Sequence, residues 1–138
     1  MPDIFVDSSG WATVFVRTEY GHPEAVAALQ SSRSLGEQVV TTNYILAELT
    51  ALLASPLRVP RSRQFSYLDT IRASTWVHVF HVDVELEAEA YALWRGRTDK
   101  RWSLVDCTSF VVMEHRRISE ALTTDRHFEK AGFIRLLK

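Results

Sequence analysis

Four carboxylates stand where the chain passes from one kind of element to the next. Asp7 follows the apolar run Ile4-Phe5-Val6, and Asp125 follows Ala121-Leu122-Thr123-Thr124. Glu48 lies among Ile45, Leu49 and Leu52, in the second turn of a helix expected from Tyr44 to Leu53. Asp106 stands three residues after Ser103, at the head of a nearly apolar helix. Each acid taken alone has a plain structural use. Asp7 and Asp125 suit turns or caps, and Asp106 suits a capping box with Ser103. Glu48 can lean to water from the margin of its stripe. Asp99, in Arg97-Thr98-Asp99-Lys100-Arg101, reads as a surface-loop charge. The chemistry appears when the four are brought together. Like charges repel, and no Lys or Arg adjoins Asp7 or Glu48 in the sequence. A divalent cation is the simplest compensator: Mg²⁺ by its preference for carboxylates and water, or the chemically close Mn²⁺. An ion so held makes hydroxide from water and stabilises charge on a phosphate. The residues therefore suggest a metal-dependent phosphodiester hydrolase.

The elements that must position these acids alternate between strand and helix. Ile4–Val6, Gln38–Thr42, Trp76–Val82, Glu120–Thr124 and Phe133–Leu137 are rich in apolar or β-branched residues and read as strands. Ser8-Ser9 offers a cap for a helix carrying Trp11, Val14 and Phe15. Pro23-Glu24 opens a second helix, and Asn43 can cap the third. A fourth helix is expected over Ser62–Ala73, with Phe65, Leu68 and Ile71 on one side. Asp83 and Ser103 open two more. This alternation predicts a three-layer α/β/α domain with a central, mainly parallel sheet of four to five strands, occupying residues 1–138. Ligands of such sheets sit beyond the carboxyl ends of the strands, where Asp7 and Asp125 fall.

Composition narrows the partners. The 138 residues are 46% hydrophobic and 24% charged, a folded rather than disordered balance. The formal net charge of −1 argues against a polybasic nucleic-acid binder and leaves room for a local basic patch. One cysteine, Cys107, excludes an internal disulfide and fits a reducing cytoplasm. The N-terminus lacks the basic and apolar regions of a signal peptide, and no run reaches the roughly 18 apolar residues of a membrane span.

The acids in order, with their surroundings, carry a resemblance. Asp7 lies in Ile4-Phe5-Val6-Asp7-Ser8-Ser9, and Glu48 in Asn43-Tyr44-Ile45-Leu46-Ala47-Glu48-Leu49. Asp106 lies in Ser103-Leu104-Val105-Asp106-Cys107, and Asp125 in Thr123-Thr124-Asp125, followed by His127-Phe128-Glu129-Lys130-Ala131-Gly132-Phe133. The set resembles the PIN domain, and within it the VapC-like toxins of bacterial toxin–antitoxin pairs, over essentially the whole chain. The resemblance implies a Mg²⁺- or Mn²⁺-dependent endoribonuclease, usually dimeric, with a small antitoxin covering the acidic pocket and often supplying an arginine to it. It implies that Asp7 and Asp106 ligate metal and that Glu48 completes the shell or orients the attacking water. Asp125 would serve a second metal or act through water, and Thr123 would hold a carboxylate or a water. Two other readings stand beside the toxin: a PIN-type nuclease of housekeeping RNA maturation, and a non-catalytic Mg²⁺-binding α/β module. The last has no use for Glu48.

Substrate contacts are expected from the stretch Leu49–Val82, where Arg58, Arg61, Arg63 and Arg72 face only Asp69. Arg58, Arg61 and Arg63 are the candidates for a phosphate-binding flap, against the alternative of a solvated basic surface. Trp11, Trp102 and Cys107 read as packed residues, Trp102 in the core or at a dimer contact. His115, Arg116 and Arg117 read as cations at a helix end.

Overall fold

Residues 3–138 are described here from a computed structural model. Met1 and Pro2, part of the N-terminal stretch considered above, lie outside the described residues. The chain runs β1 (Ile4–Val6), α1 (Ser8–Phe15), α2 (His22–Ser34), β2 (Val39–Thr42), α3 (Asn43–Ala54) and α4 (Arg61–Ala73). It continues through β3 (Val77–Phe80), α5 (Val84–Gly96), α6 (Leu104–Arg116), β4 (Glu120–Leu122), α7 (His127–Lys130) and β5 (Ile134–Arg135).

The strands form one five-stranded sheet in the order β3-β2-β1-β4-β5, and every described pairing is parallel. Right-handed crossovers place α1–α4 on one face and α5–α7 on the other. The contacts agree: α1 meets α2 and α3, α3 meets α4, and α6 meets α5 and α7. From β1 the chain moves outward to β2 and β3, then crosses back to β4 and moves the other way. The order therefore reverses between β1 and β4, which opens a crevice at their carboxyl ends. The β1–β4 register, Val6 opposite Leu122, puts Asp7 level with Thr123.

Packing fixes this crevice firmly. β1 and β2 are buried along their whole length, as expected for central strands of a sheet covered on both faces. Trp11, Phe5 and Phe128 are almost fully enclosed, and each such burial contributes about 2–3 kcal/mol. In α6 the run Cys107–Met113 is buried throughout. Gly10 brings α1 against β4: a Cβ there would lie 2.0 Å from the Leu122 carbonyl oxygen.

Several expectations are corrected in detail. Asp7, not Ser8 or Ser9, caps α1, because its carboxylate accepts from Gly10 N–H. Thr42 caps α3 through its hydroxyl, and Asn43 instead takes the Val82 N–H 39 residues away, tying α3 to the chain beyond β3. The third and fifth strands are shorter than their apolar runs. Phe65 shares helical spacing with Leu68 and Ile71, yet it is 57% exposed while Ile71 is buried. Helix α7 is a single turn, too short to leave a periodic signal.

Candidate active site

Asp7 is the most enclosed acid of the crevice, with 5% of its surface exposed. Oδ1 accepts from Gly10 N–H at 2.9 Å and from Ser9 Oγ at 2.8 Å. Oδ2 accepts from Thr123 Oγ1 at 2.7 Å. Thr123 is itself fully buried and accepts the Asp125 N–H at 3.0 Å. Asp125 Oδ1 takes the His127 N–H at 2.8 Å. One hydrogen-bonded line thus runs from α7 across the end of β4 to the end of β1.

The other two acids enter from opposite faces of the sheet. Glu48, half-buried on α3, accepts from Ser8 Oγ at 2.6 Å. Asp106 sits in the first turn of α6 in a complete capping box with Ser103: its carboxylate takes Ser103 N–H at 3.0 Å, and its own N–H donates to Ser103 Oγ. The sequence reading of Asp106 as a cap is therefore correct as far as it goes. Its charge also acts on Glu48, and that of Asp125 acts on it, so the three acids share one electrostatic neighbourhood.

Electrostatics single out this cluster. Burial pushes the Asp7 carboxyl up from 3.8 to about 7, against the lowering effect of Thr123, Gly10 and Ser9, and Asp125 pushes it further. Burial also raises Glu48, opposed by the Ser8 hydroxyl and reinforced by Asp106 and Asp125. Asp106 is raised by burial and by Asp125, with the Ser103 bond and His127 acting the other way. No lysine or arginine of the described residues is among the influences on these three acids. Of the charged side chains, only His127 offsets any of them, at Asp106. Oxygen donors at the end of a parallel sheet fit a hard divalent cation. Among the described residues no three His, Cys, Asp or Glu side chains are grouped closely enough to hold a metal ion by themselves, so an ion here would draw on fewer protein ligands at a time, with waters or substrate oxygens supplying the rest.

Three participants are absent from the sequence reading of the site. Ser8 and Ser9 hold Glu48 and Asp7. Their signal was two hydroxyls directly behind a strand-terminal acid, a pattern equally suited to a helix cap. His127 lies with Nε2 3.9 Å from Asp125 Oδ1, and its Nδ1 is buried without a partner among the described residues. Asp99 stays outside the cluster in an exposed pair with Arg97, at 2.9 Å. The three candidate arginines are not together. Arg58 and Arg63 line a cleft at the far end of α1, whereas Arg61 turns to the α3–α4 groove and lies over Phe65. Trp11 and Trp102 are core residues. Cys107 is buried, and its thiol, pushed to about 11 chiefly by burial, is no nucleophile at neutral pH. His115 pairs with Glu89 and Arg116 with Asp3 at the end of α6.

The PIN domain family matches residues 4–134. The chain belongs to the PIN domain family. It is 37% identical over 132 residues, 95% of either chain, to the 23S rRNA-specific endonuclease VapC20 of Mycobacterium tuberculosis, in both strain H37Rv and strain CDC 1551. The crystal structure of that protein, described as a sarcin-ricin loop cleaving toxin, superposes with a TM-score of 0.85 at 32% identity, covering 99% of this chain and 100% of that one. FitAcB of Neisseria gonorrhoeae shares the fold at a TM-score of 0.67 and 16% identity, over 96% and 95% of the two chains. The PIN fold of this chain is thus a five-stranded parallel sheet whose strand-order reversal carries the acids. No helix among the described residues is long and apolar enough to cross a membrane.

Proposed function

We propose that this PIN domain is a metal-dependent endoribonuclease and the toxin of a toxin–antitoxin pair, cutting a structured loop of ribosomal RNA in the cytoplasm. The observation that carries the reading is the cluster of upward-shifted acids Asp7, Glu48 and Asp106 around Asp125, with no lysine or arginine among the influences on them and only His127 acting on Asp106. The relationship to VapC20 supports the RNA substrate and the toxin role. Asp7, Asp106, Glu48 and Asp125 would hold Mg²⁺ or Mn²⁺. An ion held by these residues would activate water and offset charge on the phosphate. The protein's part is orientation. Thr123, Ser9 and Gly10 N–H lock Asp7, Ser8 aims Glu48, and the capping box fixes Asp106. The same uncompensated acids suit an antitoxin that covers the pocket with an arginine.

RNA cleavage should therefore require Mg²⁺ or Mn²⁺, stop in EDTA, and fall about a hundredfold or more in Asp106→Asn. Cleavage that survives EDTA would overturn the metal mechanism. Harmless expression of the intact chain without a partner would overturn the toxin role.

A homodimer is the second part of the proposal. Along one side of α5, Val84 is 84%, Tyr91 46% and Trp94 42% exposed, a run of apolar surface that a second copy would cover. Light scattering should give twice the chain mass, and Tyr91→Glu with Trp94→Glu should return the monomer. A wild-type monomer at micromolar concentration would sink this reading.

A further inference from the structure

The cleft at the far end of α1 has no part in the acidic centre. It has a volume of about 710 Å³, and Arg17, Arg58 and Arg63 reach it from three separate segments. All three are exposed, and among the described residues none pairs with a carboxylate. Arg17 follows the carboxyl end of α1, where a cation is favoured. Arg63 has no such excuse. It lies in the first turn of α4, where the helix dipole opposes positive charge, and that turn holds no acid. Arg58 sits at φ 52 in the turn between α3 and α4. That turn is fastened by Leu57 N–H to the Leu52 carbonyl, Val59 N–H to the Leu53 carbonyl, and Gln64 Nε2 to the Val59 carbonyl. The floor is the stacked pair Phe15 and Tyr67, with ring centroids 4.6 Å apart. A preformed cleft with three unneutralised guanidinium groups on its rim is built to receive anionic oxygens. Helix α1 separates it from Asp7 by about 12 Å, so its ligand is not the phosphate being cut.

We infer that Arg17, Arg58 and Arg63 bind backbone phosphates of the RNA substrate away from the cleaved bond, holding the strand while the acids act on it. The inference rests on the RNA reading above and adds a second, anion-binding site to it. Arg61, which faces another groove, takes no part.

The test uses the full chain in EDTA, so that binding is seen without cleavage. A fluorescently labelled RNA stem-loop is titrated at several salt concentrations. Changing Arg17, Arg58 and Arg63 together to Gln should weaken binding about tenfold or more. It should also flatten the salt dependence by roughly 0.7 per lost phosphate contact. Arg61→Gln should change neither quantity by more than a third. The three side chains are exposed, so an unchanged melting curve confirms that the triple variant is folded. With divalent metal, the triple variant should cleave the stem-loop with a raised KM and nearly unchanged kcat. Equal RNA affinity in wild type and triple variant overturns the inference. So does loss of binding to an acidic peptide with RNA binding unaltered, which would give the cleft to a protein segment. A chain that binds RNA through these arginines but cuts none with any divalent metal would refute the nuclease reading and leave the cleft assigned.

Discussion

Asp7→Asn is expected to remove RNA cleavage while making the metal-free protein more stable above neutral pH. In the fold the Asp7 carboxyl is raised from 3.8 to about 7, chiefly by burial. A raised acid pKa means that the folded state holds its proton longer than the unfolded chain does. Stability is then full below the unfolded value, declines as pH rises between the two values, and stays reduced above about 7. A shift of this size corresponds to about 4 kcal/mol at most. Asparagine keeps the shape, cannot ionise and cannot ligate a hard cation as a carboxylate does. Urea unfolding in EDTA at about pH 5 and about pH 8 measures the effect. The wild type should lose stability between them, and the variant should lose about 2 kcal/mol less. Glu48 and Asp106 are raised in both proteins, so the comparison isolates Asp7. Cleavage in Mg²⁺ should fall at least about a hundredfold. Identical pH profiles for the two proteins would remove Asp7 as the strained acid, and a fully active variant would remove it as a ligand.

Gly10→Ala is the second large effect, and it acts through packing. The added carbon would stand 2.0 Å from the Leu122 carbonyl oxygen and 2.9 Å from Val6 Cγ1. The first is backbone of a central strand and cannot swing aside. The start of α1 must lift off the sheet, at a cost of about 3 kcal/mol or more. The same movement would pull the Gly10 N–H from Asp7 Oδ1, so activity should fall with stability. Gly96, at the end of α5, has open space around it and serves as the control. Denaturant midpoints decide the matter: Gly96→Ala should unfold close to wild type and Gly10→Ala much earlier. A Gly10→Ala protein as stable as wild type would mean that α1 does not sit this close to β4.

What the sequence made legible follows from what sequence patterns encode. Apolar runs ending in acids marked β1 with Asp7 and β4 with Asp125, because a buried parallel strand and the polar residue behind it have a local signature. Which strands are neighbours has no such signature, so the level placement of Asp7 and Thr123 emerged only from the strand order. Thr42 and Asn43 are both good caps, and the end of the β2 ladder decided between them. The fold divides Arg58 and Arg63 from Arg61 for a related reason. Closeness in sequence says nothing of direction where a turn meets the first residues of a helix, and Arg61 and Arg63 leave α4 on different sides. Arg17 joined the cleft from a segment more than forty residues earlier.

The bond from Thr123 to Asp7 spans 116 residues. During synthesis at roughly 5–20 residues per second, Asp7 waits several seconds for that hydroxyl and for the β4 strand that closes its side of β1. Until then the nascent chain has an open sheet edge and an acid without its anchor. The acidic cluster is thus among the last parts of the molecule to assemble, and a chain stalled on the ribosome before its final strands lacks it.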